Sequence, residues 1–295
     1  MGMGKLSLVT LMEEPVIPAL ALLGVSFVWG ATFYFVREAL KDIAPFHFLF
    51  YRFLLASLFL LALSIKERPL WKRKTTTHGF MGGLLLFGGY AFQTIGLKIT
   101  SASKAAFITG LSVIIVPLWE ALLKRKIPPA SVMSSTGLAA TGLGLLSLEG
   151  SFTLSFGDWL VLLCAFCFAG HVVFIDRVTH LHSSLGLALA QLLTVGLLSV
   201  PFLPLEVSPV IWSARVVEAL LLTAILATAV AFIIQLKVQR FLSAAATAVI
   251  LATEPVFGAL IAYTLGGEIL TPKQLLGCAL IFTSMVLIQT AAKKF

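Results

Sequence analysis

Arg52, Glu120, His171 and Glu254 are ionisable residues that stand inside otherwise apolar runs of this chain. In hydrocarbon a carboxylate or a cation is costly, so such a group faces protein or water and often serves a substrate or a proton. Glu254 directly precedes Pro255, and proline removes a backbone donor and loosens the turn around it. A carboxylate there could meet a substrate amine or a proton; the plainer reading is a structural acid paired to another helix. His171 titrates near neutrality and could gate or carry a proton, or it could donate one interhelical hydrogen bond. Arg52 lies a turn or two inside its run and could bind a carboxylate, but snorkelling to the interface is the simpler reading. Glu120 and Lys124 have the spacing of a helical ion pair.

Neutral polar groups add to this set. Tyr90, Gln93, Gln191, Gln235 and Tyr263 interrupt apolar segments. Each suits an interhelical bond; gathered at one cavity, they could hold an amino acid's ammonium and carboxylate. In "VSFVWGATFYFV" (25–36) the helical period puts Trp29, Phe33 and Val36 on one side. Trp29 is too deep for an interfacial anchor, so it lines a path or packs in a bundle. Gly30 suits a close helix crossing. The path candidates are Trp29, Tyr34, Tyr90, Gln93, His171, Gln235, Glu254 and Tyr263, and the hinge candidates are Pro117 and Pro255.

The usual signs of catalysis are missing. The chain has no HExxH, GxSxG or GxxxxGK[ST] pattern. Its histidines lack metal spacing, and Cys164 and Cys167 form a CxxC inside "LVLLCAFCFAG", where small packing residues are the expected reading. We expect no enzyme, no metal and no cofactor.

The elements that carry these residues are membrane spans. Of 295 residues, 59% are hydrophobic and 12% charged, against about 25% charged in a soluble domain. Mean hydropathy is +1.03. Ten apolar runs of roughly helix-spanning length follow one another: 16–37, 45–65, 79–98, 103–122, 131–149, 158–176, 184–204, 216–236, 243–265 and 273–291. They are continuous rather than alternating, which excludes a barrel. The 23 Phe suit lipid-facing helices and do not argue for an aromatic substrate.

The net charge of +8 lies in short loops between these runs, as topology signals do, and nucleic-acid binding is not expected. With the N-terminus cytoplasmic, fourteen basic residues fall inside and six outside, five of the former in "KERPLWKRKTTT" (66–77). Both termini are then cytoplasmic, and the start of the chain reads as no cleaved signal peptide. Residue n also matches n+140 in places: Gly30 with Gly170, Arg37 with Arg177, Ala91-Phe92 with Ala231-Phe232. Five spans per half would insert the halves in opposite orientations, an arrangement common in alternating-access transporters.

Three stretches carry a family resemblance: "FVWGATFYFV" (27–36) with "APFHFLFYRFLLA" (44–56), "ASKAAFITGLSVIIVPLWEALL" (102–123), and "LSAAATAVILATEPVFGALIAYTLGGEILTPKQLLGCALIFTSMVLIQ" (242–289). The chain resembles the EamA-type permeases of the drug/metabolite transporter superfamily. That resemblance implies an all-α integral membrane protein with ten helices in two inverted five-helix repeats, 16–149 and 158–291. It implies a cavity built from the first, third, fourth, sixth, eighth and ninth helices, with the second outside the path. It implies export of small metabolites across the cytoplasmic membrane, and one branch similar in length exports aromatic and other amino acids. The halves differ: "PLWEALLKRKIPP" lacks the counterpart of Gly267-Glu268, and Glu120 stands where the second half has Gly258.

The expected function is a secondary transporter exporting amino acids, with a drug or nucleobase-like efflux carrier as the alternative and a non-transporting scaffold behind it. The expected partners are a small-molecule substrate and membrane lipids, and a monomer can enclose the path.

Overall fold

The computed structural model describes residues 16–64, 72–147, 155–266 and 271–292. Residues 1–15, the first half of the basic 66–77 loop and the Gly267-Glu268 pair lie outside these ranges.

Every long element is helical: α1 (Val16–Ala39), α2 (Pro45–Leu63), α3 (Arg73–Ile99), α4 (Ala102–Gly110), α5 (Ser112–Lys124), α6 (Ala130–Ser147), α7 (Phe156–Val178), α8 (Ser184–Ser199), α9 (Ala214–Leu221), α10 (Ala231–Val238), α11 (Ala244–Leu251), α12 (Glu254–Gly266) and α13 (Pro272–Ala292). A π-helical stretch, Leu222–Val230, joins α9 to α10. Serine sets many of the starts. Ser101, Ser155, Ser183, Ser213 and Ser243 each accept a hydrogen bond from the backbone N–H three residues on, which satisfies a donor the helix cannot. At Ser155 the bond is reciprocal, since Asp158 accepts from the Ser155 N–H.

The chain is an all-α, multi-pass integral membrane protein. Eight helical segments are long and apolar enough to cross a membrane: Val16–Ala39, Pro45–Leu63, Arg73–Ile99, Lys104–Lys124, Phe156–Leu181, Ser184–Leu205, Ala214–Val238 and Ala244–Ile261. The expected fifth and tenth spans are shorter apolar helices, Ala130–Leu146 and Pro272–Ile288, among the described residues. At 1.5 Å per residue the stretch Ala130–Leu146 falls slightly short of a ~30 Å hydrocarbon layer, whereas the whole of α13, Pro272–Ala292, is long enough to span it. These two pack on each other through Gly142 and Gly277, where a methyl on either would lie under 3.0 Å from the other's carbonyl oxygen.

Outer faces carry exposed Leu54, Leu55, Leu58, Leu61, Phe80 and Leu84. In hydrocarbon such faces need no cover.

The two ends of the bundle differ. Where α1 terminates, three carboxylates tie loops to helices. Asp42 accepts from Ser213 and pairs with Arg215 at 3.1 Å, Glu206 accepts from the Phe46 and His47 backbone N–H groups, and Asp158 accepts from Thr100 and pairs with Lys104 at 3.0 Å. At the other end His182 sits between Thr75 and His78, at 2.9 and 2.7 Å. Burial, then the neighbouring His78, hold its imidazole below the usual range. Glu120 and Lys124 form their i,i+4 pair at that end.

Candidate functional site

Two spans are broken in their middles, and the breaks face each other. In the segment 104–124 the helix stops at Gly110 and restarts at Ser112; in 244–261 it stops at Leu251 and restarts at Glu254. A methyl built on Gly110 would lie 3.4 Å from the Pro255 ring. A broken helix leaves backbone groups and helix ends at mid-membrane depth, which is tolerated only beside protein or a water-filled cavity.

Such a cavity is present. It is lined by Thr109, Gly110 and Ser112 at the first break and by Leu251 and Glu254 at the second. Trp29, Thr32, Leu86, Tyr90, Gln93, Phe168, His171, Val172, Phe232, Gln235 and Arg52 complete the wall. The space open to the centre of a water-sized sphere is about 60 Å³. At roughly 10–15 Å³ per water this is room for a few waters or a small metabolite.

Gly30 brings α1 onto α12 beside this cavity. A methyl there would lie 2.5 Å from the Glu254 carbonyl oxygen and 2.8 Å from the Gly258 nitrogen. The Cβ-free surface lets the two backbones touch where α12 begins, directly beside Trp29 in sequence.

Trp29 donates from Nε1 to the Ala227 carbonyl at 2.7 Å. That carbonyl is available because the helix is π-wound there. The Ala231 N–H bonds the carbonyls of Leu226 and Thr228, leaving the one an α-helix would have used. Trp29, Tyr90 and His171 all pack on the Phe232 ring, with centroids 5.7, 6.4 and 5.9 Å away. The result is an aromatic wall suited to an apolar side chain.

The polar groups are partly satisfied. His171 Nε2 is 2.6 Å from Gln191 Oε1, while the Gln191 amide nitrogen donates to Leu187. With the amide so oriented, His171 carries its proton on Nε2. Gln93 donates to Thr109 at 3.3 Å and Gln235 to Gln239 at 3.1 Å. Gln235 Oε1 is buried with no hydrogen-bond partner among the described residues. It is an acceptor waiting for an N–H.

Arg52 is the residue that sequence reasoning misplaced. It neither snorkels nor lies outside the path: it is 4% exposed and lines the cavity. Nε donates to Thr228 Oγ1 at 2.8 Å, and the guanidinium carbon sits 4.7 Å from the Tyr90 ring centre. A hydroxyl and a π face inside the bundle hold it more closely than a stretch to the interface would. The second helix therefore contributes to the cavity alongside the six the resemblance implied.

Of the eight path candidates, Trp29, Tyr90, Gln93, His171, Gln235 and Glu254 share this cavity. Tyr34 and Tyr263 lie on the outer surface, 38% and 51% exposed. The first break lies at Leu111, whereas Pro117 sits buried within α5; Pro255 lies in the first turn after the second break. Among the described residues no group of three or more His, Cys, Asp or Glu could hold a metal ion, and all three cysteines are free.

A split-helix cavity of this kind, in a chain without catalytic motifs, is a carrier's architecture. The profile of the EamA-like transporter family matches residues 16–148 and again 155–290. The chain belongs to that family. Two relatives from Archaeoglobus fulgidus, each described as an uncharacterized transporter, agree with this assignment. One is 34% identical over 269 residues, covering 91% of this chain and 84% of its own, and the other 28% identical over 246 residues, covering 80% and 84%. A solved crystal structure superposes with a TM-score of 0.77 over 95% of this chain and 98% of its own, at 17% identity, which shows a shared fold. The protein is a secondary transporter of the EamA-like family.

Proposed function

We propose that the protein exports amino acids, aromatic or other neutral ones among them, across the cytoplasmic membrane by alternating access. One observation carries this reading: a single cavity between two facing helix breaks gathers a carboxylate, a guanidinium and an unpartnered amide oxygen, beside an aromatic wall. An α-amino acid presents an ammonium, a carboxylate and a side chain, and needs those three receptors.

Glu254 and the free Gln235 oxygen receive the ammonium, and the Trp29–Phe232–His171–Tyr90 wall receives the side chain. Ten helices act as two inverted five-helix repeats, 16–149 and 158–291, with both termini cytoplasmic. The family match, which falls once in each half, supports that division. Bending at the two breaks alternates access, with Pro255 as the hinge of the second half; Pro117, buried within α5, is a weaker hinge than the Leu111 break. The cavity closes inside one chain, so a monomer suffices.

Flux into sealed liposomes tests this. The purified protein is reconstituted with a pool of unlabelled amino acids inside, and labelled leucine, threonine, methionine or phenylalanine is offered outside. Saturable uptake, competed by excess of the same compound, is the expected outcome. No uptake across that panel by folded protein overturns the amino-acid assignment.

A further inference from the structure

We propose that Arg52 seats the carboxylate of the transported molecule, so that the protein selects solutes with a free carboxylate and rejects their amides. The inference rests on the amino-acid reading above and assigns the anionic end of the same cavity.

Arg52 is buried in the span, yet it has no acidic partner. Among the described residues, none of the ion pairs includes it. Its nearest fixed contacts are neutral: the Thr228 hydroxyl on Nε, and the Tyr90 ring that it covers. A guanidinium carries five N–H donors, more than these two groups take up. Glu254 shares the cavity without pairing to it. A buried cation left without its anion is costly inside a membrane, and an arriving carboxylate removes that cost.

Position and orientation are already set. Nε is held by Thr228, which belongs to the π-helical stretch, and the plane rests on Tyr90 and on Phe53, 4.7 and 5.5 Å from the ring centres. The remaining donors form the planar fork that matches a carboxylate in two parallel bonds. Lysine cannot reproduce that fork. The same bonds offer a rival role, in which Arg52 only braces the π-helical stretch. The two roles differ in what they discriminate. A brace affects every solute alike, whereas a carboxylate seat separates an acid from its amide.

The experiment compares leucine with leucinamide in the liposome assay, using wild type, Arg52→Gln and Arg52→Lys. Leucinamide keeps the ammonium and the side chain and loses only the negative charge. Wild type is expected to prefer leucine by roughly 30-fold or more, the scale of a buried charge pair. R52Q is expected to lose that preference because leucine flux falls far more than leucinamide flux, and R52K to recover part of it. Equal carriage of both solutes by wild type overturns the proposal, as does a folded R52Q that keeps the preference. If R52Q does not fold, R52K decides: a partial loss of the preference supports the seat, and a folded R52K that keeps the full preference overturns it.

Failure of the amino-acid reading is recognised separately, as absence of flux for every amino acid. The seat is then judged by melting of the detergent-solubilised wild type with millimolar 4-methylpentanoate or 4-methylpentanamide. A higher melting temperature with the acid alone supports the seat; equal shifts, or none, overturn it.

Discussion

The two broken spans share a backbone and differ in chemistry. At the first break the Leu111 N–H reaches the Ile108 carbonyl, and the Leu111 carbonyl accepts from Ile114 and Ile115. At the second the Thr253 N–H reaches the Ile250 carbonyl, and the Thr253 carbonyl accepts from Val256 and Phe257. Leu111 and Thr253 thus play the same part, yet only the second break is tied to α1 and followed by an acid. Thr253 Oγ1 lies 2.9 Å from Ser26 Oγ, and Ser26 donates to the Leu251 carbonyl at 3.4 Å. Glu254 and Pro255 follow at once; in the first half Ser112 follows, and proline waits until position 117. The break itself therefore needs neither proline nor acid. What the second half adds is a carboxylate for the cavity and a hydroxyl lash to α1.

That contrast predicts a ranking of substitutions. Glu254→Gln removes the carboxyl group that distinguishes the second break, and amino-acid flux is expected to fall by roughly 30-fold or more. It is also expected to abolish any response of flux to a pH gradient, since a glutamine carries no proton through the cycle. A response kept intact in folded E254Q rules out Glu254 as the proton carrier.

Gly30→Leu comes next. It forces a side chain against the Glu254 carbonyl and the Gly258 nitrogen, at an overpacking cost of about 1–3 kcal/mol. A lower melting temperature in detergent and a several-fold slower flux are expected. Wild-type values for both would mean that α1 and α12 part more easily than their contact implies.

Thr253→Val keeps the shape and removes the hydroxyl lash, a loss of about 1 kcal/mol. It makes the second break resemble the first, and a small drop in melting temperature is expected. Pro117→Ala is expected to do least. The residue is inside α5 and away from the break, so flux should stay within about twofold and stability should rise slightly, as a lost helix donor returns. A large loss of flux in P117A would move the hinge of the first half from Leu111 to Pro117.

Much of this was legible in the sequence because apolar length and isolated polar residues are local signals. The eight long spans, the Glu120–Lys124 pair and the close crossing at Gly30 can all be read from spacing. Six of the path candidates meet at one cavity because polar residues deep in a span have nowhere else to go. Tyr34 and Tyr263 fall elsewhere because a polar residue near a helix's outer face satisfies the same pattern, and only packing decides its direction. Arg52 was misplaced for the converse reason. Its partners, Thr228 and Tyr90, are 176 and 38 positions away, and the π-wound backbone that presents Thr228 leaves no mark in the hydrophobic pattern. The break at Leu111 was hidden too, since a leucine between glycine and serine reads as continuous helix.

The pairing of helices has a consequence for how the chain is made. The most extensive contacts all join one half to the other: α6 with α13, α3 with α7 and α8, α2 with α8, and α1 with α12. Neither half keeps a core for itself. A ribosome that has finished α6 has inserted helices whose proper neighbours are still unsynthesised, and lipid must stand in for them until the last segment arrives. Two separately expressed fragments, divided between α6 and α7, should for the same reason find each other in one membrane, while either alone should be degraded.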